Sequence, residues 1–169
     1  MKVEIDDEIK LRNIIKDAVR DVLEEEVGRL RLLIMPYVSD EEQKEIEESY
    51  GEPSGVVSRT LILKEWLVWK IEISNQTDKF IKRENIDDNE LLSLIQKFIN
   101  YLKGEDENIN IKKLKGKWLG FYRIRFGRVR IILKVNFKCK VIFIDRMDYR
   151  GDVYKWILHL GGKRGQAEL

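Results

Sequence analysis

Arginine recurs at alternate positions in the stretch Gly120-Phe121-Tyr122-Arg123-Ile124-Arg125-Phe126-Gly127-Arg128-Val129-Arg130-Ile131-Ile132. Gly127 interrupts the alternation and marks a hairpin between two strands. Successive side chains of a strand point to opposite faces. Tyr122, Ile124 and Phe126 therefore share one face, and Phe121, Arg123 and Arg125 the other. On the return strand Val129, Ile131, Leu133 and Val135 form an apolar row opposite Arg128, Arg130 and Lys134. Such a sheet packs a core on one side and offers cations on the other. Guanidinium groups on rigid strands bind phosphate bidentately and stabilise the charge that builds on a phosphorane. RNA supplies its own nucleophile, the 2′-hydroxyl, so this chemistry calls for no metal and no cofactor.

Charge along the chain is divided. The whole protein carries a formal +2, but residues 1–65 hold 10 Lys/Arg against 17 Asp/Glu, while residues 66–169 hold 22 against 13. Within 111–155 the ratio is 14 to 3. An acidic part joined to a basic part implies either separate partners or mutual neutralisation. Lys112, Lys113, Lys115 and Lys117 read as an electrostatic patch for RNA, with Arg125 and Arg128 beside it. The single cysteine, Cys139, rules out an intramolecular disulfide and zinc-knuckle spacing, and fits a reducing cytoplasm. The single histidine, His159, leaves little for a Ser-His-Asp triad or a multi-histidine metal site. No apolar run is long enough for a membrane span, and the charged N-terminus is not a secretory signal.

The elements that must position these groups follow from periodicity. Val3-Glu4-Ile5 suggests a short strand. From Asp6 a helical stripe of Leu11, Ile15, Ala18 and Val22 runs on until Pro36 stops it. Ser39-Asp40-Glu41-Glu42 is a capping box opening a helix that ends near Gly51. Gly51–Gly55 reads as a linker, and 56–73 as two extended segments, with Trp66 and Trp69 assigned to packing. Asp87 with Glu90 caps a helix whose stripe is Leu91, Leu94, Ile95, Phe98 and Leu102, stopped by Gly104. The basic hairpin follows, and Lys140–Ile144 supplies a third strand.

Residues 66–155 resemble the toxins of the RelE/ParE superfamily. The resemblance is carried by Lys113-Leu114-Lys115-Gly116, by Tyr122-Arg123-Ile124-Arg125 with Gly127 and Arg130-Ile131-Ile132, and by Tyr149-Arg150-Gly151-Asp152-Val153-Tyr154-Lys155. It implies an α+β fold, a RelE-like antiparallel twisted sheet with helices on one face, preceded by a mostly helical antitoxin-like segment. RelE-like members cut messenger RNA in the ribosomal A site, whereas ParE-like members inhibit gyrase and lack the basic catalytic set. Arg123, Arg130, Arg150 and Tyr154 fall on positions that RelE-like toxins use, so the resemblance implies catalytic roles for these four. Tyr154 could act through a lowered pKa or by stacking on the scissile base. Arg128-Val129 replaces a more usual Asp-Tyr, and Tyr149-Arg150-Gly151 a frequent His-Arg-Arg.

The expected organisation is an acidic antitoxin-like segment at 1–55, a linker or extended segment at 56–65, and a toxin domain at 66–169. The function so implied is a fused antitoxin–toxin whose toxin domain is a metal-independent, ribosome-dependent endoribonuclease. Its partners would be the ribosome and mRNA, together with the N-terminal segment in cis or from a neighbouring chain, and it could form a homo-oligomer. The alternative is a non-catalytic ParE-like gyrase inhibitor or a nucleic-acid-binding regulatory protein.

Overall fold

The computed structural model describes residues 2–64 and 68–149. Helix α1 (Lys2–Leu33) leads through Pro36 to α2 (Asp40–Tyr50). Strands β1 (Val57–Lys64) and β2 (Val68–Ser74) come next, then helices α3 (Asn75–Glu84) and α4 (Asp88–Lys103). Strand β3 (Asn110–Lys113), a short 3-10 turn, and strands β4 (Tyr122–Phe126), β5 (Val129–Asn136) and β6 (Val141–Tyr149) complete the described chain. Val3–Ile5 belongs to α1 and is not a strand. These residues have no neighbouring strand to pair with, and intrahelical hydrogen bonds satisfy their backbone instead.

Local signals account for the helix ends. Ser39 caps α2 by accepting from the Glu42 amide at 3.2 Å, Asp87 caps α4 through the Asn89 amide, and Gly104 closes α4 at φ +105°. At the tip of the β4–β5 hairpin Gly127 sits at φ +57°, a conformation that costs a residue with a Cβ.

The six strands form one sheet in the order β1-β2-β6-β5-β4-β3. Its pairings are antiparallel except β2 with β6, which is parallel. The long connection through α3 and α4 makes that parallel closure possible. One sheet face carries the larger core, in which Ile71, Ile73, Ile124, Ile131, Leu133 and Ile144 meet Phe80, Leu91, Ile95 and Phe98 of α3 and α4. The alternation read from the hairpin places Ile124, Ile131 and Leu133 on this side, with Tyr122, Phe126, Val129 and Val135 packed at its margin. The other face carries a second core of Val38, Ile46, Leu114, Trp118, Phe121 and Ile132 beneath α2.

Residues 2–64 wrap around this sheet. Helix α1 packs on α4. At Gly28 it comes so close that an added Cβ would lie 2.8 Å from the Phe137 ring. The chain then passes the β3 edge, where the Lys113 amide donates to Pro36 O (2.8 Å) and the Val38 amide donates to Lys113 O (2.9 Å). Helix α2 crosses the opposite face, and 51–56 returns to β1 at the far edge of the sheet. Within the expected linker, Val57–Lys64 thus forms an edge strand paired with β2. Among the described residues, no helix is long and apolar enough to cross a membrane.

Candidate functional site

Cross-strand register gathers the arginines. Arg125 stands opposite Arg130, and Arg123 lies two residues back on β4, so all three project from the face that α2 covers. Arg123 is 0% exposed and Arg130 2% exposed. A buried guanidinium requires partners, because an unpaired ion in a low-dielectric interior costs several kcal/mol.

Helix α2 supplies most of those partners. Arg123 Nη2 donates to Glu42 Oε2 at 3.0 Å, and Arg123 Nε lies 2.8 Å from Glu42 Oε1. Arg125 Nη2 donates to Glu42 Oε1 at 2.7 Å. Arg123 also donates to the Asn110 side chain. Arg130 donates from Nη1 to Glu45 Oε1 (2.9 Å), from Nη2 to the Tyr50 hydroxyl (2.8 Å), and through Nε and Nη2 to the Asp148 carboxylate (3.0 and 2.9 Å). Glu42 and Glu45 are three residues apart, hence neighbours on one helical face. Burial pulls the Arg123 pKa down, the Glu42 carboxylate pushes it back up, and Arg125 and Arg130 add to the downward pull.

The lysine patch is engaged by the same segment. Lys115 Nζ donates to Asp40 at 2.5 Å and Lys117 Nζ to Glu52 at 2.9 Å. Lys113 Nζ donates to Leu33 O at 2.9 Å and sits over the Tyr37 ring. Each of these two carboxylates has its pKa lowered by its lysine. Lys112 is half-buried on β3 in register with Arg123. Arg128 is exposed at the hairpin tip, apart from the arginine cluster. Gln43 clamps the backbone beside the patch, accepting from the Lys115 amide (2.9 Å) and donating to Lys115 O (2.8 Å). Arg150, Tyr154, Trp66 and His159 lie outside the described residues.

Several residues of this site escape a local reading. Glu42 occupies the capping-box position of α2, yet its carboxylate turns to two arginines rather than to the Ser39 amide. Glu45, Tyr50 and Asp148 carried no signal in sequence beyond their charge or hydroxyl. Asp145 is buried and accepts from the Ser54 amide (2.8 Å), the Ser54 hydroxyl (3.2 Å) and Arg146, which ties the 51–56 loop to β6.

No family model matches the chain, and no curated protein does. Among solved structures it is similar to YafQ from E. coli strain BL21(DE3), at 19% identity and a TM-score of 0.35, over 51% of this chain and 98% of YafQ. A YafQ point mutant from E. coli is similar at 21% identity and a TM-score of 0.38, over 51% and 98% of the two chains. The RelBE2 toxin–antitoxin complex from Mycobacterium tuberculosis is similar at 15% identity and a TM-score of 0.33, over 47% of this chain and 95% of that one.

Proposed function

We propose that this chain is a self-neutralised toxin of the toxin–antitoxin class, in which residues 1–64 cover the phosphate-binding face of a ribonuclease domain. The observation that carries the reading is the burial of Arg123 and Arg130 beneath Glu42 and Glu45 of α2. Three arginines convergent on one face form a phosphate site by their chemistry. Carboxylates occupy that site here much as the oxygens of a scissile phosphate would. The acidic segment thereby competes with RNA for the same guanidinium groups.

In the active form Arg123 and Arg130, with Arg150 from the tail, stabilise the charge of the transition state. Tyr154 assists by proton transfer or by stacking. Lys112, Lys113, Lys115, Lys117, Arg125 and Arg128 hold the backbone of the messenger. With no evident general base in this set, cutting depends on the ribosome to orient the 2′-hydroxyl, an effect worth several kcal/mol. The reaction proceeds in EDTA and leaves cyclic or 3′-phosphate ends.

The test uses the full chain. Wild type should leave ribosome-bound messenger intact. Glu42→Lys/Glu45→Lys, which repels α2 from the arginines, should cut it within A-site codons, and adding Arg150→Ala should abolish cutting. A folded charge-reversed variant that spares the messenger while gyrase supercoiling falls would identify the ParE-like alternative instead.

A further inference from the structure

Helix α1 is amphipathic, but its apolar side faces away from the protein. At 3.6 residues per turn, Asp21, Glu24, Glu25, Gly28, Arg31 and Leu32 fall on one side of the helix. These are the α1 positions that are buried or half-buried against the body. The opposite side carries Leu11, Ile15, Val19, Val22, Leu23 and Leu30, each more than half exposed. The apolar row continues to Ile34 and spans most of a helix of 32 residues, about 48 Å long. An aliphatic stripe of this length, interrupted at Glu26, exceeds what monomeric surfaces normally leave to water.

We propose that this face binds the same face of a second copy of the chain, with the two α1 helices antiparallel. Charge supports a second copy, because the signs along α1 are self-complementary about the middle of the helix. Charge fixes the direction. Along α1 an acidic zone (Asp6, Asp7, Glu8) is followed by a basic one (Lys10, Arg12, Lys16), a mixed centre (Asp17, Arg20, Asp21), a second acidic zone (Glu24, Glu25, Glu26) and a basic end (Arg29, Arg31). An antiparallel pair centred between Ala18 and Val19 sets Glu8 level with Arg29 of the other copy, Lys16 level with Asp21, and Arg12 within one residue of Glu26. The same register packs Ile15 against Val22. A parallel pair would set Glu8 on Glu8 and Arg12 on Arg12. The intrahelical contacts of Arg12 with Glu8 and of Arg29 with Glu26 are exposed and long, so they yield readily, while Arg29 can keep its closer partner Glu25 and still reach Glu8 of the other copy. The inference is independent of the catalytic reading above.

Light scattering and sedimentation of the full chain should give twice the 20.1 kDa monomer mass. Ile15→Glu/Val22→Glu should halve that mass while leaving the circular dichroism unchanged, because both positions are exposed in the single chain. In a Cys139→Ser background, Val19→Cys should cross-link to itself under mild oxidation and Leu30→Cys should not. A wild-type chain that stays monomeric at about 100 μM, or a double variant that remains dimeric, overturns the proposal. Preferential self-cross-linking of Leu30→Cys overturns the antiparallel arrangement. A monomeric wild type that sediments with anionic vesicles through these residues overturns it in favour of a lipid surface.

Discussion

Arg123 has the least freedom of any charged group on the arginine face. Its guanidinium is enclosed, and Glu42 and Asn110 are its side-chain partners. Removing one member of a buried pair strands the other charge, so Glu42→Ala should lower unfolding free energy by about 3 kcal/mol. Replacing both members with apolar residues removes both charges, so Arg123→Met/Glu42→Leu should regain most of that loss. Urea unfolding of the two variants separates these outcomes. Equal losses would show that the cost is packing rather than an abandoned charge. Lys117 and Glu52, by contrast, pair in open water. Lys117→Ala should leave the urea midpoint where it is.

At the level of elements, α1 and α2 are held by different means. Helix α2 is bound by ion pairs, by the Gln43 clamp and by the small core around Ile46 and Trp118. Its N-terminus depends on Ser39, and Ser39→Ala should cost about 1 kcal/mol in thermal or urea unfolding. Helix α1 is bound by close approach at Gly28, by Leu32, and by Arg31, which donates to Tyr101 O (2.9 Å) and Gly104 O (3.1 Å) at the end of α4. A leucine at position 28 cannot fit between Phe137 and the Leu102 carbonyl. Gly28→Leu should therefore speed amide exchange along the second half of α1 while the β5 and β6 amides stay protected. Uniform acceleration across the sheet would mean that α1 is integral to global stability.

For the molecule as a whole, the edge strand β1 closes the embrace through Arg59. Its Nε donates to Asp78 Oδ1 (2.6 Å) and its Nη1 to Asp88 Oδ2 (2.9 Å), joining β1 to the starts of α3 and α4. The Asp78 pKa is lowered first by Lys82 and then by Arg59, and that of Asp88 chiefly by Arg59. A carboxylate whose folded pKa lies below the unfolded one stabilises the fold above the unfolded value, about 3.9 for aspartate. That contribution is lost as pH falls through the folded pKa. Wild type should exceed Arg59→Gln in stability at pH 7, and the gap should close progressively below about pH 4. A gap that stays constant down to pH 3 in urea titrations would sever β1 anchoring from these two aspartates.

Much of the local architecture was legible because its causes are local. Ser39, Asp87 and Gly104 announce helix ends through hydrogen bonds made within a few residues. The alternation from Tyr122 to Val135 assigns side chains to faces because a strand repeats every two residues. The charge division between the acidic first 65 residues and the basic remainder needed only counting. Val3–Ile5, expected as a strand, is helical because β-branched residues suit a strand only where a partner strand exists. What covers the arginine face was decided by tertiary structure, since Glu42 and Arg123 are 81 residues apart and no periodicity links them. Read locally, Glu42 is a capping residue, and only the docking of α2 makes it a counter-ion. The parallel closure of β2 on β6 and the placement of β1 at the far edge are likewise long-range. So is the outward turn of the α1 stripe. An amphipathic pattern states that a face will be buried, while the partner that buries it depends on which surfaces meet in space.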